Sequence, residues 1–234
     1  MFFKGDSQKC LARFIVKSEW QALAKVLSSE KESKAIPPFA KSTALVDGHS
    51  QDQACILHFA MSLGAPQQIL ILIADRFPED LAIIDDKGRT TAHIACATGA
   101  SPDLVCYCIE ATPSAAATKD SEGKSPMHHL CKDYLKNSNE TVDLAHKHMT
   151  EILWRLYRNA PSSIVSEDND GVGVIEYALE SDANLDFIKM LHTLIDHFRE
   201  SERRKKVLSK QQQVSRPEIP KPICALLSRY WSSL

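Results

Sequence analysis

Glycine and long apolar runs are both scarce in this chain. Only 8 glycines occur among its 234 residues, which argues against an all-β fold with many glycine-containing turns. The longest uninterrupted apolar run is ILILIA, at residues 69–74, and a membrane-spanning helix requires roughly 18 such residues. The N-terminus, MFFKGDSQKC, lacks the charged-then-apolar layout of a secretory signal. We therefore expect no membrane partner and a cytosolic or nuclear location.

A strong excess of either charge is missing as well. The formal net charge is −2, and 44% hydrophobic with 25% charged residues is ordinary for a globular protein of one or at most two domains. The 7 cysteines are odd in number and follow no framework spacing. We interpret them as small buried side chains in a reducing compartment, with disulfide bonds as the minor alternative.

Recognisable catalytic and cofactor motifs are absent from the sequence too. It contains no Gly-x-Ser-x-Gly elbow and no His-Glu-x-x-His pair, and nothing around Gly171-Val172-Gly173 completes a phosphate-binding loop. Asp168-Asn169-Asp170-Gly171 is similar to part of a calcium loop, but Tyr177 falls where the bidentate glutamate should stand. The sequence therefore predicts neither an enzyme nor a cofactor.

What the sequence does contain is an internal repeat with a period of 35 residues. Gly88 recurs at this spacing as Gly123. The other residues that recur at the same step are His58, His93 and His128, Pro78 and Pro113, and Cys96 and Cys131. A fourth copy around Gly171 comes 48 residues after Gly123, so the third unit carries thirteen extra residues between Tyr134 and Pro161. A fixed period of this length is the signature of a repeat architecture.

Each unit is predicted to consist of a turn and two helices. Asp86-Lys87-Gly88 has turn composition, in which glycine supplies a positive φ. Helix A is expected over roughly 91–97, ending near Gly99 as its C-cap, and Ser101-Pro102 is expected to open helix B. The apolar positions expected on one face of helix B are Leu104, Val105, Cys108 and Ile109, and in the preceding unit Ile69, Leu70, Ile73 and Ala74.

These units resemble the ankyrin-repeat family, whose mark is Thr-Pro-Leu-His-x-Ala after a glycine turn. The matching stretches are TTAHIA at 90–95, SPMHHL at 125–130 and CILHFA at 55–60, while the fourth copy keeps only Ala178. A tetratricopeptide array has a similar period but requires tryptophan and Gly-x-x-Tyr positions that this sequence lacks at the right phase. The resemblance implies an all-α fold: an ankyrin-like helical repeat solenoid with short turn or hairpin tips and helical caps.

The same resemblance implies a non-enzymatic protein–protein interaction module, an ankyrin-like scaffold or adaptor, whose partner is another protein. We expect a monomer. In such solenoids the turn tips and exposed helix A positions make the contacts. From their positions within the 35-residue unit, the expected partner-binding residues are Lys87, Arg89, Glu122, Lys124, Lys132, Asp133 and Tyr134. The residues expected to be structural are His58, His93, His128, Gly88 and Gly123, because in the family this histidine ties a helix start to the neighbouring turn.

The alternative function is a metal-binding or regulatory enzyme that uses the repeated histidines and cysteines. The residues that could be drawn as a zinc site are His93, Cys96, His128, His129 and Cys131. Stacked units would place these groups side by side, whereas zinc requires four ligands around one point. Cys106 and Cys108 are a weaker pair, because residues two apart on a helix point about 200° apart. We therefore expect no metal.

The chain divides into three segments. Residues 1–51 are expected to hold a helical cap over 10–29, opened by the capping box Ser18-Glu19-Trp20-Gln21. A loop over 30–52 follows, which is either mobile or a functional arm. Residues 52–198 hold about four units, and residues 199–234 form a basic C-terminal helix and tail. In the third unit, the insertion is expected to lengthen both helices and their loop, and His146 and His148 are expected to be solvated.

The C-terminal segment is the one basic region. Residues 199–221 contain eight Lys and Arg against three Glu. Because only this segment is basic, the sequence does not favour a stand-alone nucleic-acid binder. Arg203-Arg204-Lys205-Lys206 is either a nuclear-import signal or the solvated end of a helix. The closing ICALLSRYWSSL either docks on the last unit or is offered to a partner as a short peptide.

Overall fold

The structure is a computed structural model that describes residues 13–15, 17–28 and 55–214, with side chains as far as residue 209. Within these ranges the chain forms helices and turns without a β-strand, which confirms the all-α class. One isolated antiparallel bridge joins Glu167 and Gly173. Every helix of the described ranges is too short or too polar to span a bilayer. The chain divides into two compact units, Met1–Leu194 and Ile195–Leu234.

The helices follow a repeating order. The α-helices of the described residues are α1 (Trp20–Ser28), α2 (Ile56–Ser62), α3 (Gln67–Arg76), α4 (Thr91–Ala97), α5 (Pro102–Ala111), α6 (Pro126–Asn137), α7 (Val142–Asn159), α8 (Val174–Glu180) and α9 (Leu185–Val214). Three short 3-10 helices, each starting with proline, follow α3, α5 and α7: Pro78–Ala82, Pro113–Ala117 and Pro161–Val165. A short helix, a longer helix and a 3-10 helix therefore succeed one another three times.

The N-terminal cap does not contain the capping box that the sequence predicted at Ser18. Ser18 has a φ of +54°, and the Glu19 and Ser18 amides donate to the carbonyls of Phe14 and Ile15. This pattern ends the preceding turn of helix, so Ser18 is not the N-cap of the next one. Helix α1 begins at Trp20 and packs against α3. Residues 10–12, 29–54 and 215–234, which include the predicted arm and the closing peptide, lie outside the described residues.

Local signals in the second unit correctly predicted its helices. Helix α4 spans the predicted residues, and Gly99 follows it with a φ of +68°. The Ser101 hydroxyl accepts the Leu104 amide at 3.4 Å, and Pro102 occupies the first turn of α5. The apolar positions predicted for helices α3 and α5 are all buried. Cap and proline chemistry therefore determines where these helices begin and end.

The thirteen extra residues of the third unit are entirely helical. Helix α6 has 12 residues against 7 in α4, and α7 has 18 against 10 in α5. These differences account for the whole insertion, and residues 138–141 connect the helices just as residues 98–101 do. The prediction that both helices lengthen is confirmed, but the prediction of a longer loop is wrong. At about 1.5 Å per residue, this hairpin is roughly 8–12 Å longer than its neighbour.

The prediction that His146 and His148 are solvated is also wrong. His146 is buried, with Nδ1 2.8 Å from the Val142 carbonyl oxygen and Nε2 accepting the Asn184 amide at 2.9 Å. His148 is half-buried, and its Nδ1 lies 2.5 Å from Glu140 Oε2. His146 is buried because the longer α7 runs alongside the segment that leads into α9. Its ring therefore joins the two elements.

The core lies between helices that pack in series. Helix α4 packs on α6 and α6 on α8, while α5 packs on α7. Free buried cysteines contribute to this core at positions 55, 96, 106, 108 and 131. Cys10 and Cys224 are outside the described residues. The interpretation of these five cysteines as small buried side chains is confirmed.

Candidate functional site

Three turns of the same construction precede helices α4, α6 and α8. Each begins with an aspartate, Asp85, Asp120 or Asp168, whose Oδ1 accepts the backbone amides two and four residues later at 2.8–3.0 Å. The glycine three residues after each aspartate has a φ between +76° and +80°. The sequence analysis singled out the glycines and missed Asp85, although an aspartate three residues before each glycine was visible. Side-chain bonds to local amides make each turn rigid.

The second carboxylate oxygen of each aspartate has a different partner. Asp85 Oδ2 binds the Arg89 guanidinium, with contacts of 2.7 and 2.8 Å. Asp120 Oδ2 lies 2.8 Å from His129 Nε2. Asp168 Oδ2 accepts the Tyr177 hydroxyl at 2.6 Å. These contacts join each turn to its own helix A or to the turn's last residues.

Backbone hydrogen bonds connect one turn to the next. The Ser121 amide donates to the Lys87 carbonyl at 2.8 Å, and the Asn169 amide donates to the Glu122 carbonyl at 2.9 Å. The Asn169 side-chain amide adds a bond to the Ser121 carbonyl at 3.0 Å. A Cβ on Gly88 would lie 3.1 Å from the Ser121 nitrogen. Glycine is therefore required here both for its positive φ and for the close approach of the next turn.

Two of the recurring histidines link the start of a helix to the following turn. His93 Nδ1 accepts the Thr90 amide at 3.0 Å, and its Nε2 lies 3.1 Å from the Lys124 carbonyl oxygen. The Ser125 and Thr90 hydroxyls each complete a capping box with the histidine three residues on. His128 Nε2 likewise lies 3.1 Å from the Ser166 carbonyl oxygen. Because Nδ1 accepts, the neutral ring carries its proton on Nε2 and donates it to the carbonyl.

His58 occupies the same position in the first unit but lacks these bonds. Cys55 stands where Thr90 and Ser125 stand in the later units, and its thiol lies 3.6 Å from the Asp80 carbonyl oxygen. Among the described residues, neither ring nitrogen of His58 has a hydrogen-bond partner. Burial lowers the pKa of His58 to about 4, as it does for His93 and His128. All three rings are therefore held neutral at pH 7.

The zinc alternative conflicts with the geometry of the histidines. Both ring nitrogens of His93 and His128 are engaged in hydrogen bonds, so no lone pair is left for a metal. Burial raises the pKa of the Cys96 and Cys131 thiols, which disfavours the thiolate that zinc requires. Within the part of the chain that the structure describes, no group of three or more His, Cys, Asp or Glu is placed to hold a metal ion.

Two residues predicted for the partner-binding surface are buried. The Tyr134 hydroxyl donates to the Ala100 carbonyl at 2.9 Å, because the lengthened α6 lies over the loop of the second unit. Lys124 pairs with Glu122, and its ammonium lies 5.6 Å from the centre of the Tyr177 ring. Assigning Tyr134 and Lys124 to an exposed surface was therefore wrong.

The other predicted surface residues are at least partly accessible. Lys87 and Glu122 are exposed at the turn tips, and Arg89 is held by Asp85. Lys132 is half-buried with its ammonium 5.3 Å from the Tyr177 ring centre, and Asp133 Oδ2 lies 3.3 Å from His129 Nδ1. These positions follow the turns and the outer side of α6.

His129 is a residue whose role the sequence analysis missed. Its two ring nitrogens face carboxylate oxygens of Asp120 and Asp133, at 2.8 and 3.3 Å. Although burial opposes the effect, hydrogen bonds from His129 and from backbone amides hold the pKa of Asp120 below its usual range. His129 thus ties the second turn to α6. The sequence showed it as the second member of the pair HH and gave no further signal.

No protein-family model matches the sequence, and no curated protein matches it. The case for a function therefore depends on the geometry of the turns and on the repeat pattern.

Proposed function

We propose that this chain is a non-enzymatic protein–protein interaction module built as an ankyrin-like helical repeat solenoid. The observation that carries the proposal is the pair of backbone hydrogen bonds that join the second turn to the first and the third turn to the second. Such a series joins equivalent points of successive units, and stacked units of this kind create extended binding surfaces. The likeness of the 35-residue units to ankyrin repeats supports the same proposal.

The turn tips are the part of this surface best suited to contact a partner. We call Lys87, Ser121, Glu122 and Asp170 the turn surface, because all four are exposed at the tips of consecutive turns. Their backbone is fixed by the aspartate carboxylates and by the bonds between turns. A surface that is already ordered loses little conformational entropy when a partner binds.

The engagement of the repeated histidines favours a scaffold over an enzyme. A general base must present a free nitrogen to a substrate, whereas His93 and His128 use both nitrogens within the fold. Free buried cysteines suit a reducing compartment, and we extend the proposal to a cytosolic or nuclear location.

The proposal is tested by changing the turn surface without disturbing the turns. The double variant Lys87→Glu and Ser121→Glu alters two exposed side chains, and neither side chain forms a hydrogen bond with the described residues. A charge reversal at Arg89 or Lys124 would be a poorer test, because Arg89 holds Asp85 and Lys124 is buried. The intact chain and the double variant are immobilised, and retained proteins are quantified by mass spectrometry.

A matched control separates surface effects from a general effect of charge. Lys147 is exposed on α7, so Lys147→Glu introduces the same change away from the turns. We expect a set of proteins that the intact chain and Lys147→Glu retain and the double variant loses, with equal melting temperatures for all three chains. Retention of the same proteins by the double variant would refute a binding site at the turn surface.

A further inference from the structure

The last described unit leaves uncovered the face that its predecessors cover. In the second and third units, Ala92 and Cys96 on α4, and Met127 and Cys131 on α6, are buried, and each of these helices packs on the next helix A. The equivalent residues of α8 are Ile175 and Leu179. Ile175 is half-buried, and Leu179 is 60% exposed.

Helix α9 also begins with accessible apolar side chains. Leu185 is 67% exposed, and Ile188, half-buried, lies three residues further on the same side of the helix. Val105 of the second unit and Leu153 of the third unit occupy the position equivalent to Ile188, and both are fully buried. We call Ile175, Leu179, Leu185 and Ile188 the end face. Its composition is that of an interface between units, since the positions equivalent to Ile175, Leu179 and Ile188 are buried in the units before it.

Acidic residues flank the members of the end face along the sequence. The exposed carboxylates next to its members in the sequence are Glu176, Glu180, Asp182 and Asp186. Lys189 is the neighbouring cation, and it pairs with Asp186 at 3.4 Å where both side chains are exposed. A partner for this face must therefore combine aliphatic side chains with positive charge.

A stretch of α9 has this combination. Arg203, Arg204, Val207 and Leu208 lie at positions i, i+1, i+4 and i+5, which places them on one side of the helix. Val207 is 55% and Leu208 58% exposed. We call these four residues the basic stripe. The ion pairs of Arg203 and Arg204 with Glu200 are exposed, and such pairs are weak and easily exchanged.

We propose that the end face binds the basic stripe of a second copy of this chain. The apolar side chains Leu179 and Leu185 then pack against Val207 and Leu208, and the arginines face the acidic residues that flank members of the end face. Each copy carries one end face and one basic stripe, so a single type of contact is enough to join two copies. This inference concerns a different surface from the turn surface, so either proposal can fail while the other stands.

Sedimentation velocity of the full chain tests the dimer directly. We expect a reversible monomer–dimer equilibrium between roughly 1 and 100 µM. Raising the salt concentration should weaken the dimer, because charges contribute to it. A chain that stays monomeric over this range would overturn the proposal.

Two variants and a control assign the contact to its residues. The face variant carries Leu179→Lys and Glu180→Lys, the stripe variant carries Arg204→Glu and Leu208→Glu, and Leu144→Lys changes a leucine that is also exposed, on α7. We expect each of the first two to raise the dissociation constant by at least about tenfold, and Leu144→Lys to leave it unchanged. Unchanged dimerisation of either variant, or an equal loss in the control, would overturn the proposal.

A mixture of the two variants supplies the sharpest test. An equimolar mixture retains one intact end face and one intact basic stripe, so it should form a heterodimer that neither variant forms as a homodimer. Absence of a heterodimer would contradict the pairing. A second face variant carries Glu176→Lys and Glu180→Lys and keeps every apolar residue of the end face. It replaces the first face variant if Leu179→Lys lowers the helix content.

Discussion

At the scale of the residue, the aspartates of this chain behave in two opposite ways. Asp85, Asp120 and Asp168 are hydrogen-bonded at both oxygens, and they organise the turns. Asp80 is fully buried, and neither of its carboxylate oxygens has a hydrogen bond of good geometry. Burial raises the pKa of Asp80 to about 7, and contacts from the Leu57 amide and the Cys55 thiol offset only part of this.

Asp80 should therefore reduce stability at neutral and alkaline pH. Because the pKa of Asp80 is higher in the folded chain than in the unfolded chain, the folded state binds the proton more tightly. Protonation of Asp80 therefore stabilises the folded state at low pH, and this stabilisation is lost as the pH rises from about 4 to about 7. We expect Asp80→Asn to raise the free energy of unfolding at pH 8 by roughly 1–3 kcal/mol and to have little effect at pH 4. Urea titrations at both values measure this. An equal effect at both, or a gain from the exposed control Asp143→Asn, would contradict the explanation.

Cys55 lacks the hydroxyl that faces Nδ1 of the equivalent histidine in the later units. Thr90 and Ser125 complete a capping box with the histidine three residues later, and Cys55 does not. We expect Cys55→Ser to stabilise the chain by about 0.5–1 kcal/mol, and the reverse change Ser125→Cys to cost about 1 kcal/mol. Thermal melts of the two variants check both signs. A loss of stability in Cys55→Ser would show that the thiol contact with Asp80 matters more than the cap.

At the scale of the element, the sequence predicted what local chemistry decides. The bounds of α4 and α5 could be predicted because Gly99, Ser101 and Pro102 act within one turn of the helix that they start or end. The burial of Tyr134 and His146 could not, because it depends on contacts with Ala100 and Asn184, which lie more than 30 residues away. The exposure of the end face was equally unpredictable, since a repeat pattern does not say which unit lacks a neighbour.

The longer α6 should depend on its contact with the second unit. Tyr134→Phe removes the hydroxyl of a fully buried side chain and leaves the part-buried Ala100 carbonyl without this partner, and we expect a loss of roughly 1–2 kcal/mol. Tyr107→Phe is the matched control, because its hydroxyl bonds Asp75 at an exposed site and should cost roughly 0.5 kcal/mol or less. Chemical denaturation compares the two. Equal losses would mean that burial of the bond has no consequence.

At the scale of the whole molecule, the bonds between turns are what make separate units act together. Two glycines distinguish the effect of turn conformation from the effect of stacking. Gly123 and Gly171 have nearly the same φ, +80° and +79°. A Cβ on Gly123 would lie 2.8 Å from the Asn169 nitrogen, whereas one on Gly171 would meet nothing within 4 Å.

Alanine at these two positions should therefore have unequal effects. Gly171→Ala carries only the cost of a positive φ, about 1–2 kcal/mol, while Gly123→Ala must also displace the next turn. We expect Gly123→Ala to cost at least about 1 kcal/mol more and to speed hydrogen exchange at the Asn169 amide. If both variants lose the same stability and exchange alike, the close approach of the turns contributes nothing.

Site-specific photo-crosslinking in native lysate tests most directly whether partners bind at the turn surface. A benzophenone amino acid replaces Ser121 in one chain and Lys147 in another, both exposed positions. The proposed function predicts discrete crosslinked partners from position 121 that are absent from position 147. Crosslinks that form at position 147 and not at position 121 would contradict it.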